Sequence, residues 1–402
     1  MPLGLYISVP FCRTKCSYCN FASDVFSRAV FERYLDRVCA DVAQAAVTAE
    51  PMGGDFERAV DSIYLGGGTP TILDRTQLQR LFVTISQNFE IAREAEITVE
   101  CAPGTLTAVM VETLKNCSVN RVSLGVQSFV DQEAASVGRL HKRETVLEEI
   151  ARLRAAGIAN INVDLIAGLP YQTAESWDFS LQQAIAVGAP HVSVYMLEVD
   201  EDSRLGRELI AGGTKYHAHF VPNDDLTADL YTSACERLNA AGIAQYEISN
   251  FARPGCESQH NLKYWRRQPY LGFGVDAHSM LRAHPNPELS PGGEVESVRF
   301  ATADSLEQYV ANAPLKRTPI SPAAALEEAF FLGLRLACGV DLDDIEKDFG
   351  PRARQNFSHG ITELMAAGLL ECEGSHIRLT AGGRLLSNEV FGQFISEPAT
   401  SA

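Results

Sequence analysis

The chain has 402 residues, of which 46% are hydrophobic and 21% charged, the balance of a globular protein with a core large enough for two domains. A formal net charge of −17 weighs against a general nucleic-acid binder, because neutralising phosphates needs an excess of Lys and Arg. No stretch approaches the roughly 20 apolar residues of a membrane span, so the chain is not expected to span a membrane and any membrane role has to come through a partner.

From the amino terminus, short β-branched runs alternate with amphipathic stretches. The expected strands are Leu5 to Val9, Ser62 to Leu65, Glu96 to Glu100, Arg121 to Val126, Ile161 to Ile166 and His191 to Leu197. Between them lie helical patterns such as Arg28 to Ala46, Arg75 to Phe89, Arg143 to Ala156 and Glu175 to Val187, with Gly157 and Gly188 placed as helix stops. Strand-then-helix order repeated six times favours a parallel sheet, and units of about 30 residues suit a partial (β/α)6 TIM-like barrel better than a two-half dinucleotide fold. The fold class read from this pattern is α/β, with the barrel core spanning 1–235.

The unusual residues fall at the carboxyl ends of these strands. Strand one runs into Cys12, Cys16 and Cys19, strand two into Gly66-Gly67-Gly68-Thr69-Pro70, strand three ends at Glu100, strand four at Gln127, and strand five carries Asp164. Parallel barrels place their chemistry on that rim, so five hits there point to one site. Three crowded thiols without a fourth fit a cubane iron-sulfur cluster with one iron left open. Structural zinc is the competing reading, although no histidine lies near the loop. Ten Cys in 402 residues are too sparse for a disulfide scaffold, and Met1 to Val9 have neither the basic start nor the apolar length of a secretory signal. The thiols are therefore expected in a reducing cytoplasm. Taken singly, the glycines read as a tight turn, and Glu100 and Asp164 as solvated or capping carboxylates.

Cys-x3-Cys-x2-Cys on the first loop, followed by a glycine-rich second strand end, resembles the radical S-adenosylmethionine superfamily. The runs Asn120-Arg121-Val122-Ser123-Leu124-Gly125-Val126-Gln127-Ser128-Phe129 and Asp164-Leu165-Ile166-Ala167-Gly168-Leu169-Pro170-Tyr171-Gln172 are similar to the branch that holds oxygen-independent coproporphyrinogen III oxidase and the HemW heme chaperones. The likeness covers nearly the whole chain. It implies a 4Fe-4S cluster on Cys12, Cys16 and Cys19, and S-adenosylmethionine lined by Tyr6, Gly67 and Glu100, with Tyr18 able to pack on the adenine. A second S-adenosylmethionine, as in the oxidase, would correspond to Gly68, Thr69, Gln127, Arg139 and Asp164. Where relatives commonly read Glu-Ala-Asn-Pro, this chain has Glu100-Cys101-Ala102-Pro103, so an amide near the cofactor is missing.

Two features separate the branches. The oxidase carries a fourth cysteine, in Cys-x3-Cys-x2-Cys-x-Cys, where this chain has Phe21, and His260-Asn261-Leu262-Lys263-Tyr264-Trp265 fits the His-Asn-x-x-Tyr-Trp signature of the chaperone branch. The resemblance thus implies a heme chaperone that passes heme to membrane-bound respiratory proteins. The alternative is radical decarboxylation of coproporphyrinogen III. Histidine ligates heme iron and aromatic rings stack on porphyrins, so His260, Tyr264 and Trp265 form a candidate heme-contact cluster. A hydrogen-bonded structural role is the bland reading of His260, and Cys256, His278 and Cys338 compete as ligands.

Residues 236–315, with turns at Pro254-Gly255, Pro269 and Gly272-Phe273-Gly274, are expected to be a loop-rich connector over the barrel mouth. Residues 316–402 read as a small winged-helix-like α+β domain. Helices Pro322 to Ala337, Asp343 to Phe349 and Ala353 to Ala367 precede a hairpin from Leu369 to Thr380 turning at Gly374-Ser375, and a last helix runs from Ala381 to Phe394. From Pro322 onward twelve Asp and Glu face six Lys and Arg, which favours packing or partner docking over DNA binding.

Overall fold

The computed structural model describes residues 1–284 and 294–396; the ends of the expected connector and carboxyl-terminal ranges at 285–293 and 397–402 lie outside them. Six strands, β1 Leu3–Val9, β2 Ala59–Gly67, β3 Glu90–Cys101, β4 Arg121–Gln127, β5 Asn160–Ala167 and β6 His191–Met196, pair in parallel in chain order. They include every expected strand core, with β3 starting six residues earlier than the pattern suggested.

Alternation along these strands decides what each face does. Leu5, Ile7 and Val9 of β1, Ile63 and Leu65 of β2, Val122 and Leu124 of β4 and their equivalents are fully buried in one core with helix side chains such as Leu35, Leu78 and Leu181. Burying each such side chain is worth about 1.5–3 kcal/mol, so the period of two fixes which face the helices cover. The opposite face carries Tyr6, Ser8, Ser62, Tyr64, Glu96, Glu100, Ser123, Asn162, Asp164 and Ser193, several of them hydrogen-bonded to one another across strands. A barrel interior filled by branched aliphatic side chains would look quite different. This polar face holds the site.

The helices begin where local chemistry stops the preceding loop. Arg75–Asn88 opens on a capping box, the Asp74 carboxylate accepting from Gln77 N–H while the Gln77 side chain accepts from Asp74 N–H, and Thr173 with Ser176 does the same for Ala174–Ala186.

The expected loop-rich connector is not loop-rich. It supplies β7 Ala244–Gln245, β8 Asn250–Ala252, β9 Tyr270–Phe273, β10 His278–Arg282 and β11 Ser297–Ala301, and with β12 Lys316–Ile320 these extend the sheet at both edges. The order of the twelve-stranded sheet is β12-β11-β10-β9-β1-β2-β3-β4-β5-β6-β8-β7. Strands of two to five residues separated by Gly and Pro give too short a period to announce themselves.

Beyond β12, helices Pro322–Gly333, Leu342–Phe349 and Ala353–Ala366 pack with β13 Val340–Asp341, β14 Leu370–Glu373 and β15 His376–Leu379. The expected hairpin is present as β14 and β15, and β13 adds a third strand that the sequence did not announce. The expected last helix is broken into Ala381–Leu385 and Ser387–Gly392. A second core gathers here around Phe330, Leu364, Ile377 and Phe394, with Phe330 and Phe394 stacked at 5.0 Å. The unit is tied to the sheet edge by backbone bonds from Ile248 N–H to Arg335 and from Ala337 N–H to Tyr246. The largely buried Glu328 adds ion pairs to Arg267 at 3.0 Å and Arg299 at 2.8 Å.

Candidate functional site

The thiol loop leaves β1 at Pro10 and is anchored by its backbone. Cys12 N–H donates to Asp24 at 3.0 Å, Ser17 N–H to Val137 at 3.2 Å, Cys19 N–H to Cys16 at 3.3 Å, and Leu205 N–H donates back to Ser17 at 2.8 Å. All three cysteines are free thiols and half-buried. The Cys12 thiol stands 3.9 Å from the Thr69 hydroxyl, and Cys19 lies 3.9 Å from Ser23. Burial pushes the Cys12 thiol up, and the nearby Cys19 and Cys16 add to the shift. Among the described residues no three His, Cys, Asp or Glu side chains form a ready-made metal-holding group.

The glycine run packs directly beneath this loop. A Cβ on Gly68 would lie 2.6 Å from the Val9 carbonyl oxygen and 2.9 Å from that of Phe11, so the backbones approach too closely for any side chain. Thr69 N–H then donates to Phe11 at 2.8 Å, fixing the loop to the end of β2. Gly66 faces the Glu100 carboxylate, 2.8 Å from where its Cβ would stand, and a Cβ on Gly67 would meet the Tyr6 hydroxyl at 3.2 Å.

Glu100 accepts from the Tyr64 hydroxyl at 2.8 Å. Burial raises its carboxyl to about 7, with the Tyr64 bond opposing and Asp164 reinforcing the rise. Asp164 is raised too, chiefly by burial, although it accepts from Ser123 at 2.9 Å and Asn162 at 2.7 Å. Arg139 lies across this acidic pair: its guanidinium is 3.5 Å from the Tyr18 hydroxyl and would crowd any Cβ on Gly125 at 2.8 Å. Tyr18 packs with Val137, Ile166 and Leu169 at the end of β5. Gln127 sits beside Arg139 with a left-handed backbone, φ 67°. Among the described residues the buried Gln127 Oε1 and Arg139 Nε have no hydrogen-bond partner. Unpartnered buried polar atoms beside two carboxylates and a glycine cradle are what a polar, cationic ligand would satisfy. Tyr6, Tyr18, Gly67, Gly68, Thr69, Glu100, Gln127, Arg139 and Asp164 thus gather around the thiol loop.

Cys101, in the place of the alanine in the common Glu-Ala-Asn-Pro run, is buried on the apolar side, where burial raises its thiol well above the usual range.

The His-Asn-x-x-Tyr-Trp motif lies further down the same face, toward the strand starts, with the His260 ring stacked 5.4 Å from that of Tyr64 and 6.5 Å from that of Tyr6. Helix Gln259–Trp265 sits at the starts of β1 and β2, not over the carboxyl ends of the strands, so the expectation of a connector over the mouth is corrected. Ser258 caps it, and the Glu96 carboxylate accepts from Gln259 and His260 N–H groups at 3.1 Å. The side chains of His260 and Lys263 press so closely on β1 that a Cβ at Gly4 would meet them at 3.2 and 2.8 Å. His260 is fully buried, with Nδ1 3.0 Å from the Ser62 hydroxyl and Nε2 2.8 Å from the Tyr264 hydroxyl. Burial lowers its imidazole to about 3. No ring nitrogen is left for an iron, and this is the physical reason to set aside His260 as a free axial ligand. Trp265 carries the Arg335 guanidinium 4.3 Å over its ring and so faces the carboxyl-terminal unit. Of the competing ligands, Cys338 is exposed on that unit, and His278 stands in β10 within 3.8 Å of Asp276.

Sequence reading passed over part of the polar face. Arg121, almost fully buried, pairs with Glu96 at 3.9 Å, and His191 donates through Nδ1 to Asn162 at 2.7 Å while Nε2 meets the Tyr246 hydroxyl at 2.9 Å. The signal was present as polar residues at alternate positions of otherwise apolar strands.

Comparisons with known proteins establish the family and the fold. Residues 6–184 match the radical SAM superfamily and residues 320–386 the HemN C-terminal domain. The chain is 33% identical over 98% of its length to the heme chaperone HemW of Bacillus subtilis, covering 99% of that protein. To the heme chaperone HemW of Escherichia coli it is 34% identical over 70% of both chains. Its fold superposes on that of the Escherichia coli coproporphyrinogen III oxidase HemN, a radical SAM enzyme, with a TM-score of 0.80 at 24% identity, covering 98% of this chain and 90% of the other. Among the described residues no helix is long and apolar enough to cross a membrane. Radical SAM domain, HemN-type carboxyl-terminal domain and near-full-length identity together place this chain in the HemW family of heme chaperones.

Proposed function

We propose that the protein is a cytoplasmic heme carrier of the radical SAM type, which takes up heme and passes it to membrane-bound respiratory proteins. The observation that carries this reading is the identity to heme chaperones along almost the entire chain, with the exposed Phe21 standing where the oxidase branch has its fourth cysteine.

In this reading Cys12, Cys16 and Cys19 hold a 4Fe-4S cluster by three irons. The donor set suits it, being three thiols in one loop with no imidazole beside them. When bound and reduced by an external donor, such a cluster would offer an open iron and an electron to S-adenosylmethionine. The chain's own residues do the rest. Glu100 and Asp164 present acceptors to the cationic ligand, Tyr6 and Tyr18 supply ring faces, and the Gly67 and Gly68 backbone gives close approach. Gln127 Oε1 and Arg139 Nε offer the unused acceptor and donor. The parallel run β1–β6 supports the description of a partial (β/α)6 barrel, and the three-stranded sheet with its packed helices supports a winged-helix-like carboxyl-terminal unit. We place the domain limits at 1–235, 236–315 and 316–402. His260, Tyr264 and Trp265 form a structural plug at the strand starts and contribute no heme ligand.

A second reading, radical decarboxylation of coproporphyrinogen III, is favoured by the gathering of Gly68, Thr69, Gln127, Arg139 and Asp164, the set that matches a second S-adenosylmethionine in the oxidase. One assay separates the two. Anaerobically reconstituted protein is expected to bind hemin near one to one and to form no protoporphyrinogen IX from coproporphyrinogen III, S-adenosylmethionine and reductant. Robust conversion would overturn the carrier reading.

A further inference from the structure

Outside the polar face, a cavity of about 490 Å³ opens on the other side of the thiol loop. None of Tyr6, Glu100 or Asp164 lines it. Its volume lies within the range of small-molecule sites. Its chemistry is unusual for a chain of net charge −17, because Arg13, Lys15, Arg204 and Lys215 all line it. The sole carboxylate on that lining, Asp24, accepts from the Val25 N–H. Arg13 and Arg204 each give one N–H to a backbone carbonyl, of Gly104 at 3.2 Å and Lys15 at 3.3 Å, which orients both guanidiniums and leaves further donors open. The apolar part of the lining is exposed: Val25 is 54% accessible and Leu140 71%. Cations beside uncovered aliphatic surface suit a flat apolar dianion.

His217 also lines this cavity, half-buried, at the start of the short helix Ala218–Phe220. Its Nδ1 is 2.9 Å from the Tyr171 hydroxyl, and among the described residues no hydrogen bond reaches Nε2. Both residues hold left-handed backbones, φ 61° at His217 and 70° at Tyr171, a conformation that costs energy for a side chain of this size and that clusters at ligand sites. Close contact of Tyr171 with the tilted ring of Phe220, centroids 4.1 Å apart, braces the pair. A histidine whose one nitrogen is fixed by a hydroxyl while the other is free has the arrangement of a metal-ligating imidazole. His260, with both nitrogens engaged, is its opposite.

The geometry points to this cavity as the heme seat, with His217 Nε2 as the axial ligand to iron, Tyr171 as the residue that positions it, and Lys15, Arg204 and Lys215 receiving the propionates. The inference rests on the heme-carrier reading and adds the place and the ligand to it. The seat adjoins the thiol loop, since Arg13, Lys15 and Ser17 belong to both. Cargo and cluster would therefore share one segment of chain.

Hemin titration of the full-length protein, followed by absorption and electron paramagnetic resonance spectra, tests this. Wild-type protein is expected to give an imidazole-ligated spectrum. His217→Ala is expected to lose that spectrum, to bind hemin at least about tenfold more weakly and to recover the imidazole signature when free imidazole is added. Tyr171→Phe should weaken binding about tenfold through loss of ring orientation. Hemin dimethyl ester should bind wild-type more weakly than hemin does, a difference that Lys15→Glu/Lys215→Glu erases. A wild-type spectrum typical of thiolate ligation, or a His217→Ala spectrum identical to wild-type in protein with unchanged circular dichroism, overturns the assignment and leaves the carrier reading standing. Failure of wild-type to bind hemin sinks the carrier reading itself, and the seat with it.

Discussion

The two ends of the polar face carry similar side chains in opposite states. At the strand starts, both His260 nitrogens are hydrogen-bonded and both Glu96 oxygens accept, from Ser258, Gln259 and His260. At the strand ends, Gln127 Oε1 and Arg139 Nε are buried without partners, and Glu100 and Asp164 stand near each other with their carboxyls raised by burial. Buried polar groups cost free energy unless they are satisfied. Arg121 Nε and Trp265 Nε1 at the strand starts also lack hydrogen-bond partners among the described residues, but Arg121 is ion-paired with Glu96 and Trp265 lies under the Arg335 guanidinium. Gln127 Oε1 and Arg139 Nε instead border two carboxylates and a glycine cradle, which is the surrounding a ligand would complete. Motif recognition alone does not make this distinction, since both ends carry family signatures.

Substitutions at the two ends should therefore fail in different ways. The largest effect is expected for Cys16→Ala, which leaves two thiols and should bring iron and sulfide after anaerobic reconstitution to background. Its loop is held by backbone bonds, so urea unfolding should move by less than about 1 kcal/mol. Retention of full iron and sulfide content would show that the trio does not hold the cluster. At the other end, Glu96→Ala removes the partner of the buried Arg121 and the acceptor at the start of helix Gln259–Trp265. A cost of about 3–5 kcal/mol in unfolding free energy is expected, because a buried cation is left uncompensated. A loss below 1 kcal/mol would remove the basis for calling that end structural.

How far the sequence foretold this contrast depended on the range of the interactions. Strand cores, the rim position of Cys12, Gly67, Glu100 and Asp164, and the hairpin at Gly374 were all legible, because period-two patterning and turn residues act over a few positions. The role of His260 was not, since it depends on Ser62, far away in the chain and adjacent only after β2 pairs with β1. Short strands such as β8 and β9 were lost in a Gly- and Pro-rich segment for the same reason: they are strands only because β6 and β1 offer edges to them. The cationic cavity escaped notice because Lys15 and Lys215 are 200 positions apart in the sequence.

Glu100 lets the comparison be read as a pH dependence. Its folded carboxyl is raised from the ordinary 4.5 to about 7. A raised carboxyl means that the folded state binds the proton more tightly than the unfolded chain does. The stability this contributes is complete below about pH 4.5 and is lost as pH rises through about 7. Glu100→Gln should therefore stabilise the cofactor-free protein at pH 8 by up to about 3 kcal/mol while leaving it nearly unchanged at pH 4.5. The same change should weaken S-adenosylmethionine binding about 10- to 100-fold, the range for losing one charged hydrogen-bond partner. Gaining stability while losing ligand marks a binding residue. Losing both would make Glu100 structural and erase the contrast between the ends.

His260→Ala has the smallest expected effect and bears most directly on the motif. Removing the ring takes hydrogen-bond partners from the Ser62 and Tyr264 hydroxyls at once, and a buried hydroxyl left alone costs about 1–3 kcal/mol. Urea unfolding should show that loss, while hemin affinity and spectrum should stay as in wild-type. His260→Gln, which can offer both a donor and an acceptor, should recover part of the stability, whereas Phe cannot. If the hemin spectrum instead changes with His260→Ala, or with a His260→Gln protein whose stability is largely recovered, the imidazole reaches iron in some state of the protein, and the strand starts would have to be counted among the ligand-binding surfaces.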